Sequence, residues 1–148
     1  MDIIAIEARL RQIRNSLQIL YELQGLNYEE FSESFLYTST AERQFQLAIQ
    51  ATIDIGEHIL AELMTEPPTD YGDVFVKLGE AGVLSSDFAD KLVGMARFRN
   101  ILVHVYLELD LEKLHTFLQE DLDDFEEFAR CVTEFIERYT TSESSAGQ

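Results

Sequence analysis

Basic residues are scarce. The 148-residue chain has 11 Lys and Arg against 28 Asp and Glu, a formal net charge of −17. A surface of that sign repels nucleic acid at long range, so any RNA contact has to come from a local basic pocket, or a basic partner has to mask the acid. Cysteine is nearly absent. Cys131 stands alone, which excludes an intrachain disulfide and a multi-cysteine zinc site; beside Val132 on a helix it reads as a small buried hydrophobe. The two prolines are adjacent, at Pro67 and Pro68, and long stretches lack glycine, a pattern that favours helices over an all-β design. No apolar run approaches the roughly 18 residues of a membrane span. Asp2, Glu7 and Arg9 in the first turns are unlike a signal peptide, so a cytoplasmic protein is expected. What is present is 46% hydrophobic residue content, enough for one folded domain with its own core. We expect that domain to span 1–140, followed by a flexible tail over 141–148.

The acid is unevenly placed. Residues 1–24 balance to zero, 25–68 carry −7, 69–109 carry −2 and 110–148 carry −8. The middle of the chain is therefore the place to look for a site that handles anions.

Hydrophobic spacing is helical throughout. Ile3, Ile6, Leu10, Ile13, Leu17 and Leu20 recur at steps of three and four, which predicts an amphipathic helix over 2–24 stopped by Gly25. A shorter piece is expected over 28–37. Ser39-Thr40-Ala41-Glu42 has capping-box spacing and predicts the start of a long helix reaching about Met64. Gly56 within it costs about 1 kcal/mol against alanine and suggests close approach of another helix. His58 reads as a boundary residue. The Pro67-Pro68 loop precedes a short helix over 71–81, ended near Gly82; its glycines are too widely spaced for a phosphate loop. Ser85-Ser86-Asp87 then supplies N-cap candidates for a helix over 86–105, whose second half is apolar nearly all round and reads as the central, two-sided buried helix. Asp110 caps a last helical region over 110–139. The acids of Glu120–Glu127 alternate with Leu and Phe at helical spacing and read as a solvated face rather than a metal site.

One stretch does not fit a plain scaffold. Arg97–Tyr106 reads Arg-Phe-Arg-Asn-Ile-Leu-Val-His-Val-Tyr, placing cations, an amide, an imidazole and a phenol in an apolar helix, where they are costly unless paired or used. At about 100° per residue, Arg99 falls on the stripe of Phe88, Leu92, Met95 and Leu102, while Arg97, Asn100 and His104 lie together on the other side. Salt bridges to nearby acids would explain an isolated Arg and His; the combination points further. RNA cleavage needs a group that moves a proton, which His104 can supply. It also needs a fixed cation on phosphate, which Arg99 or Arg97 can supply. Asn100 can orient the histidine or donate to phosphate.

Arg99-Asn100-x-Leu102-Val103-His104-x-Tyr106 resembles the Arg-x4-His-x-Tyr motif of the HepT-like HEPN family. Leu109-Asp110 and the later Asp121-Leu122-x-Asp124-Phe125-Glu126-Glu127-Phe128-Ala129 resemble it too. The resemblance implies an all-α, antiparallel up-and-down bundle of four to five helices that homodimerises, with the two motifs meeting at a dimer cleft. It implies a metal-independent endoribonuclease toxin, without a cofactor, paired with a minimal nucleotidyltransferase (MNT) antitoxin. Arg99 and His104 are then catalytic, Asn100 and Arg97 support them, and Tyr106 is the tyrosine to which the antitoxin adds AMP. The acidic surface also motivates an alternative, a non-catalytic partner subunit or nucleotide-binding module for a nucleotidyltransferase.

Overall fold

The computed structural model describes residues 1–103 and 110–146. Among them are seven helices and no strand: α1 Ile3–Gln24, α2 Tyr28–Ser32, α3 Phe35–Glu62, α4 Tyr71–Glu80, α5 Ser86–Val103, α6 Leu111–Glu120 and α7 Leu122–Ala146. The fold is all-α as expected, but the count exceeds the four to five that the resemblance implies: one expected break falls earlier than its cap residues suggest, and a second is not evident from periodicity. The first lies between α2 and α3. Ser34 is the N-cap of α3, accepting from the Tyr37 amide, whereas Ser39, expected to start the helix, lies inside it and donates back to the Phe35 carbonyl at 2.6 Å. The other divides the expected 110–139 helix at Asp121, which caps the end of α6.

Cross-helix pairs give the directions. The N-terminal amine meets Glu62 at 3.1 Å and Arg9 meets Asp54 at 3.7 Å, so α1 and α3 run antiparallel. Gln46 and Gln50 meet Leu102 and Arg99, so α3 and α5 do the same. Tyr21 pairs with Asp123 and Tyr139 with Glu62, which sets α7 antiparallel to α1.

The central helix is α3, not α5. It packs on every other helix, and its buried residues are Thr38, Ala41, Phe45, Ala48, Ile49, Ala51, Thr52, Ile53, Ile55, Gly56, Ile59 and Leu60. Several of these are small, and small residues let neighbouring helices approach closely. Gly56 is the extreme case: a Cβ there would stand 2.5 Å from Val74 Cγ1 and 3.1 Å from Leu78 Cδ1 of α4. By contrast α5 is exposed along one side, with Ile101 at 40%.

Helix ends follow recognisable local chemistry. Gly82, at φ +80, closes α4 with Val83 N–H donating to Leu78 C=O, the left-handed stop for which glycine is suited. Gly25 caps α1 at φ −70 and so does not draw on that freedom. Asp110 caps α6 as expected, accepting from the Lys113 amide at 3.2 Å.

The acid run at the start of α7 is not merely a solvated face. Asp124 is buried and pairs with Lys91 of α5 at 2.9 Å, and Asp123 accepts from Tyr21. Those acids pin α7 to α5 and α1. Cys131 is only half-buried; burial and the Glu127 carboxylate push its thiol pKa up.

Candidate functional site

The site is built where the last turns of α5 meet α3 and the start of α4. Ser85 begins α5 by accepting from the Phe88 amide. From there Leu92, Met95 and Leu102 turn inward and are buried. Phe98 is also buried, stacking on Phe117 at 4.2 Å and meeting Phe45 edge-on. This aromatic cluster fixes the rotation of α5, and the rotation decides where its polar groups point.

Arg99 faces the interior side and is half-buried. Its Nε–H donates to Gln50 Oε1 at 2.9 Å, and its guanidinium carbon lies 4.5 Å from the centre of the Tyr71 ring, within range for a cation–π contact. Gln50 in turn donates from Nε2 to Asp54 Oδ1 at 2.8 Å. One turn earlier on α3, Gln46 donates to the Leu102 carbonyl at 3.0 Å, a second polar tie between α3 and α5.

Arg97 and Asn100 point the other way and are exposed. They line a groove of about 340 Å³ together with Thr69, Asp70, Tyr71 and Asp73. The acids of this rim are already engaged: Asp70 accepts from the Asp73 amide at 2.7 Å as N-cap of α4, and Asp73 accepts from the Thr69 amide at 2.9 Å. Tyr71 joins the two halves of the arrangement, since it lines the groove and also carries Arg99 on its ring. The structure thus brings Arg97 and Asn100 into one groove and ties Arg99 to its wall. His104 and Tyr106 lie outside the described residues.

A guanidinium held at Nε and seated over an aromatic ring is constrained at two points, which suits it to hold a phosphate. Gln46, Gln50 and Tyr71 were not singled out in the sequence. The polar series Gln46, Gln50, Asp54, spaced by four along one face of α3, was the signal that could have found two of them.

Against this geometry, the sequence profile of HepT-like ribonucleases matches residues 7–132. The chain belongs to the HepT-like ribonuclease family. It is 27% identical over 133 residues to the tRNA nuclease HepT of Aphanizomenon flos-aquae (strain 2012/KM1/D3), covering 90% of each chain. It is 28% identical over 120 residues to the mRNA nuclease HepT of Shewanella oneidensis, covering 81% of this chain and 90% of that one. Its fold is similar to the tri-AMPylated Shewanella oneidensis HEPN toxin solved in complex with MNT antitoxin, with a TM-score of 0.81 at 26% identity over 90% of this chain and 99% of the other. The cytosolic protein YutE from Bacillus subtilis, of unknown function, has a similar fold at 19% identity, with a TM-score of 0.83 over 94% of this chain and 93% of that one.

Proposed function

We propose that this HepT-like chain is a metal-independent endoribonuclease toxin that works as a homodimer and is held in check by an MNT antitoxin. One observation on the molecule carries the reading. In a chain of net charge −17, the end of α5 presents Arg97 and Asn100 to a groove and fixes Arg99 against the wall of that groove. The family match and the two HepT nucleases support it.

In the proposed reaction the ribose 2′-hydroxyl attacks the adjacent phosphorus. The bond to the 5′-oxygen breaks, leaving a 2′,3′-cyclic phosphate and a 5′-hydroxyl. His104 moves the proton between the attacking and leaving oxygens, since an imidazole can both accept and donate near neutral pH. Arg99 stabilises the charge that builds on the phosphate oxygens, with Arg97 as a second phosphate contact and Asn100 orienting the imidazole. Two-fold pairing would pool two such sets in one cleft and double the local positive charge. Tyr106 is the proposed point of control, its hydroxyl accepting AMP from the antitoxin. The tri-AMPylated HEPN toxin solved in complex with MNT antitoxin supports AMPylation as the means of control.

The test uses the purified chain and RNA in the presence of EDTA. Cleavage should persist with chelator, end in a cyclic phosphate, and be lost in His104→Ala while circular dichroism and size-exclusion elution stay those of the wild type. Substrate carrying 2′-deoxyribose at the cleavage point should resist. Cleavage retained in a folded His104→Ala would refute the assignment.

A further inference from the structure

We propose that Gln50 is a positioning residue for Arg99, and that Asp54 and Arg9 set the direction in which the Gln50 amide points. The inference rests on the nuclease reading above and adds to it the part of the scaffold that aims its cation.

Four side chains from three helices form one line. Arg9 of α1 meets Asp54 Oδ2 at 3.7 Å, Asp54 Oδ1 accepts from Gln50 Nε2 at 2.8 Å, and Gln50 Oε1 accepts from Arg99 Nε–H at 2.9 Å. The order is dictated by chemistry. A carboxylate only accepts, so it must face the NH2 end of the amide; a guanidinium only donates, so it must face the oxygen. Asp54 therefore leaves the Gln50 oxygen with a single direction, toward Arg99. Arg9 faces the second oxygen of Asp54 at 3.7 Å, a partly exposed ion pair that biases the carboxylate in the same sense.

The attachment point matters as much as the bond. Gln50 takes Nε, the nitrogen on the side-chain arm, not the two terminal nitrogens that make a bidentate pair with phosphate. With Nε tied and the guanidinium carbon held over the Tyr71 ring, the position of the guanidinium is constrained at two points before any RNA arrives. Cation placement of this kind lowers the barrier by removing reorganisation at the moment of reaction. It predicts an effect on turnover, not on substrate affinity.

The experiment is a mutant cycle on the full chain, with RNA cleavage as the readout. Gln50→Leu removes the acceptor and keeps an apolar side chain of similar bulk. It should lower kcat about ten- to a hundred-fold, the range of a modest misplacement, with KM within about two-fold and circular dichroism like that of the wild type. Arg99→Ala should lose more activity, and adding Gln50→Leu to it should cost nothing further, because a residue that acts through Arg99 has nothing left to position. The paired exchange Gln50→Glu with Asp54→Asn rebuilds the line with the acceptor and donor roles of its inner bond reversed, but it sets a carboxylate on Arg99, so kcat should stay low because the charge offered to phosphate is offset. Gln50→Leu with unchanged kcat, or an additive loss in the double variant, would overturn the positioning role while leaving Arg99 catalytic. Full activity in Arg99→Ala would instead overturn the nuclease assignment of that arginine, and the positioning role with it.

Discussion

Gly56→Ala sets two effects of known size against each other. The added methyl gains helix propensity, worth about 1 kcal/mol relative to glycine. It also meets α4, where its Cβ would stand 2.5 Å from Val74 Cγ1 and 3.1 Å from Leu78 Cδ1. Ordinary carbon contacts lie at roughly 3.5–4.0 Å, so the valine methyl must yield by about 1 Å. Val74 is 1% exposed, and a β-branched side chain in a helix has one strongly preferred rotamer, so the whole of α4 has to shift. Overpacking of this kind costs about 1–3 kcal/mol. The clash should win, with a net loss of about 1 kcal/mol and a fall in Tm of about 2–4 °C for a chain of this size. Thermal and urea unfolding followed by circular dichroism, at one fixed protein concentration, measure it. Combining Gly56→Ala with Val74→Ala removes the clashing methyl, and the pair should be less destabilised than the two single losses added together. A Gly56→Ala protein more stable than the wild type would show that α3 and α4 do not approach as closely as this reasoning requires. Because α4 begins at Tyr71, on which Arg99 lies, the same displacement should also slow RNA cleavage.

Two further perturbations test the acid clusters and the proposed control point. Burial first, and then the Asp124 and Glu120 charges, hold the Asp121 carboxyl above its ordinary pKa. Its folded pKa thus exceeds its unfolded one, so ionised Asp121 destabilises the fold at neutral pH and the penalty is relieved as pH falls through the folded value. Asp121→Asn should therefore raise Tm at pH 7 and lose that advantage near pH 3, below the ordinary carboxyl range; an equal Tm at pH 7 would count against the sign. For Tyr106, coexpression with a nucleotidyltransferase partner should raise the intact mass by one or more AMP increments, and Tyr106→Phe should abolish the increase; persistence of the increase would move the modification to another residue.

The helices were legible where one side chain type repeats with one period. Ile6, Ile13, Leu17 and Leu20 predicted α1 because large aliphatics mark a buried stripe. Such a stripe gives no signal where burial is carried by small residues. Ala41, Ala48, Ala51 and Gly56 are all buried in α3, yet they contribute little to an apolar pattern, so the large aliphatics near the end of α5 point to the wrong centre. Periodicity gives no signal either where a cap is decided by geometry. Ser39 and Ser34 are equally good cap residues by type, and only the turn after α2 selects Ser34. For the site, the grouping of Arg97 with Asn100 and the inward turn of Arg99 follow from a helical wheel and are found in the structure. The Gln50 line could not be read along the chain, since its members come from α1, α3 and α5.

The same line bears on how so acidic a chain can hold an anion. Net charge governs the approach of RNA from a distance, but beyond a Debye length of about 10 Å at 0.1 M salt it is largely screened. Within that range, what counts is how the nearby carboxylates are committed. Asp70 and Asp73 are turned to backbone amides as caps, and Asp54 is held between Gln50 and Arg9. Lys91 offsets Asp124 on a neighbouring turn of α5. Among the described residues, a neutral amide rather than a carboxylate is hydrogen-bonded to Arg99. Had glutamate stood at position 50 with Asp54 unchanged, it would have held the guanidinium just as firmly while cancelling the charge that phosphate needs. Gln50 therefore answers two demands at once, direction without neutralisation, and the acid that supplies the direction is kept one side chain further back.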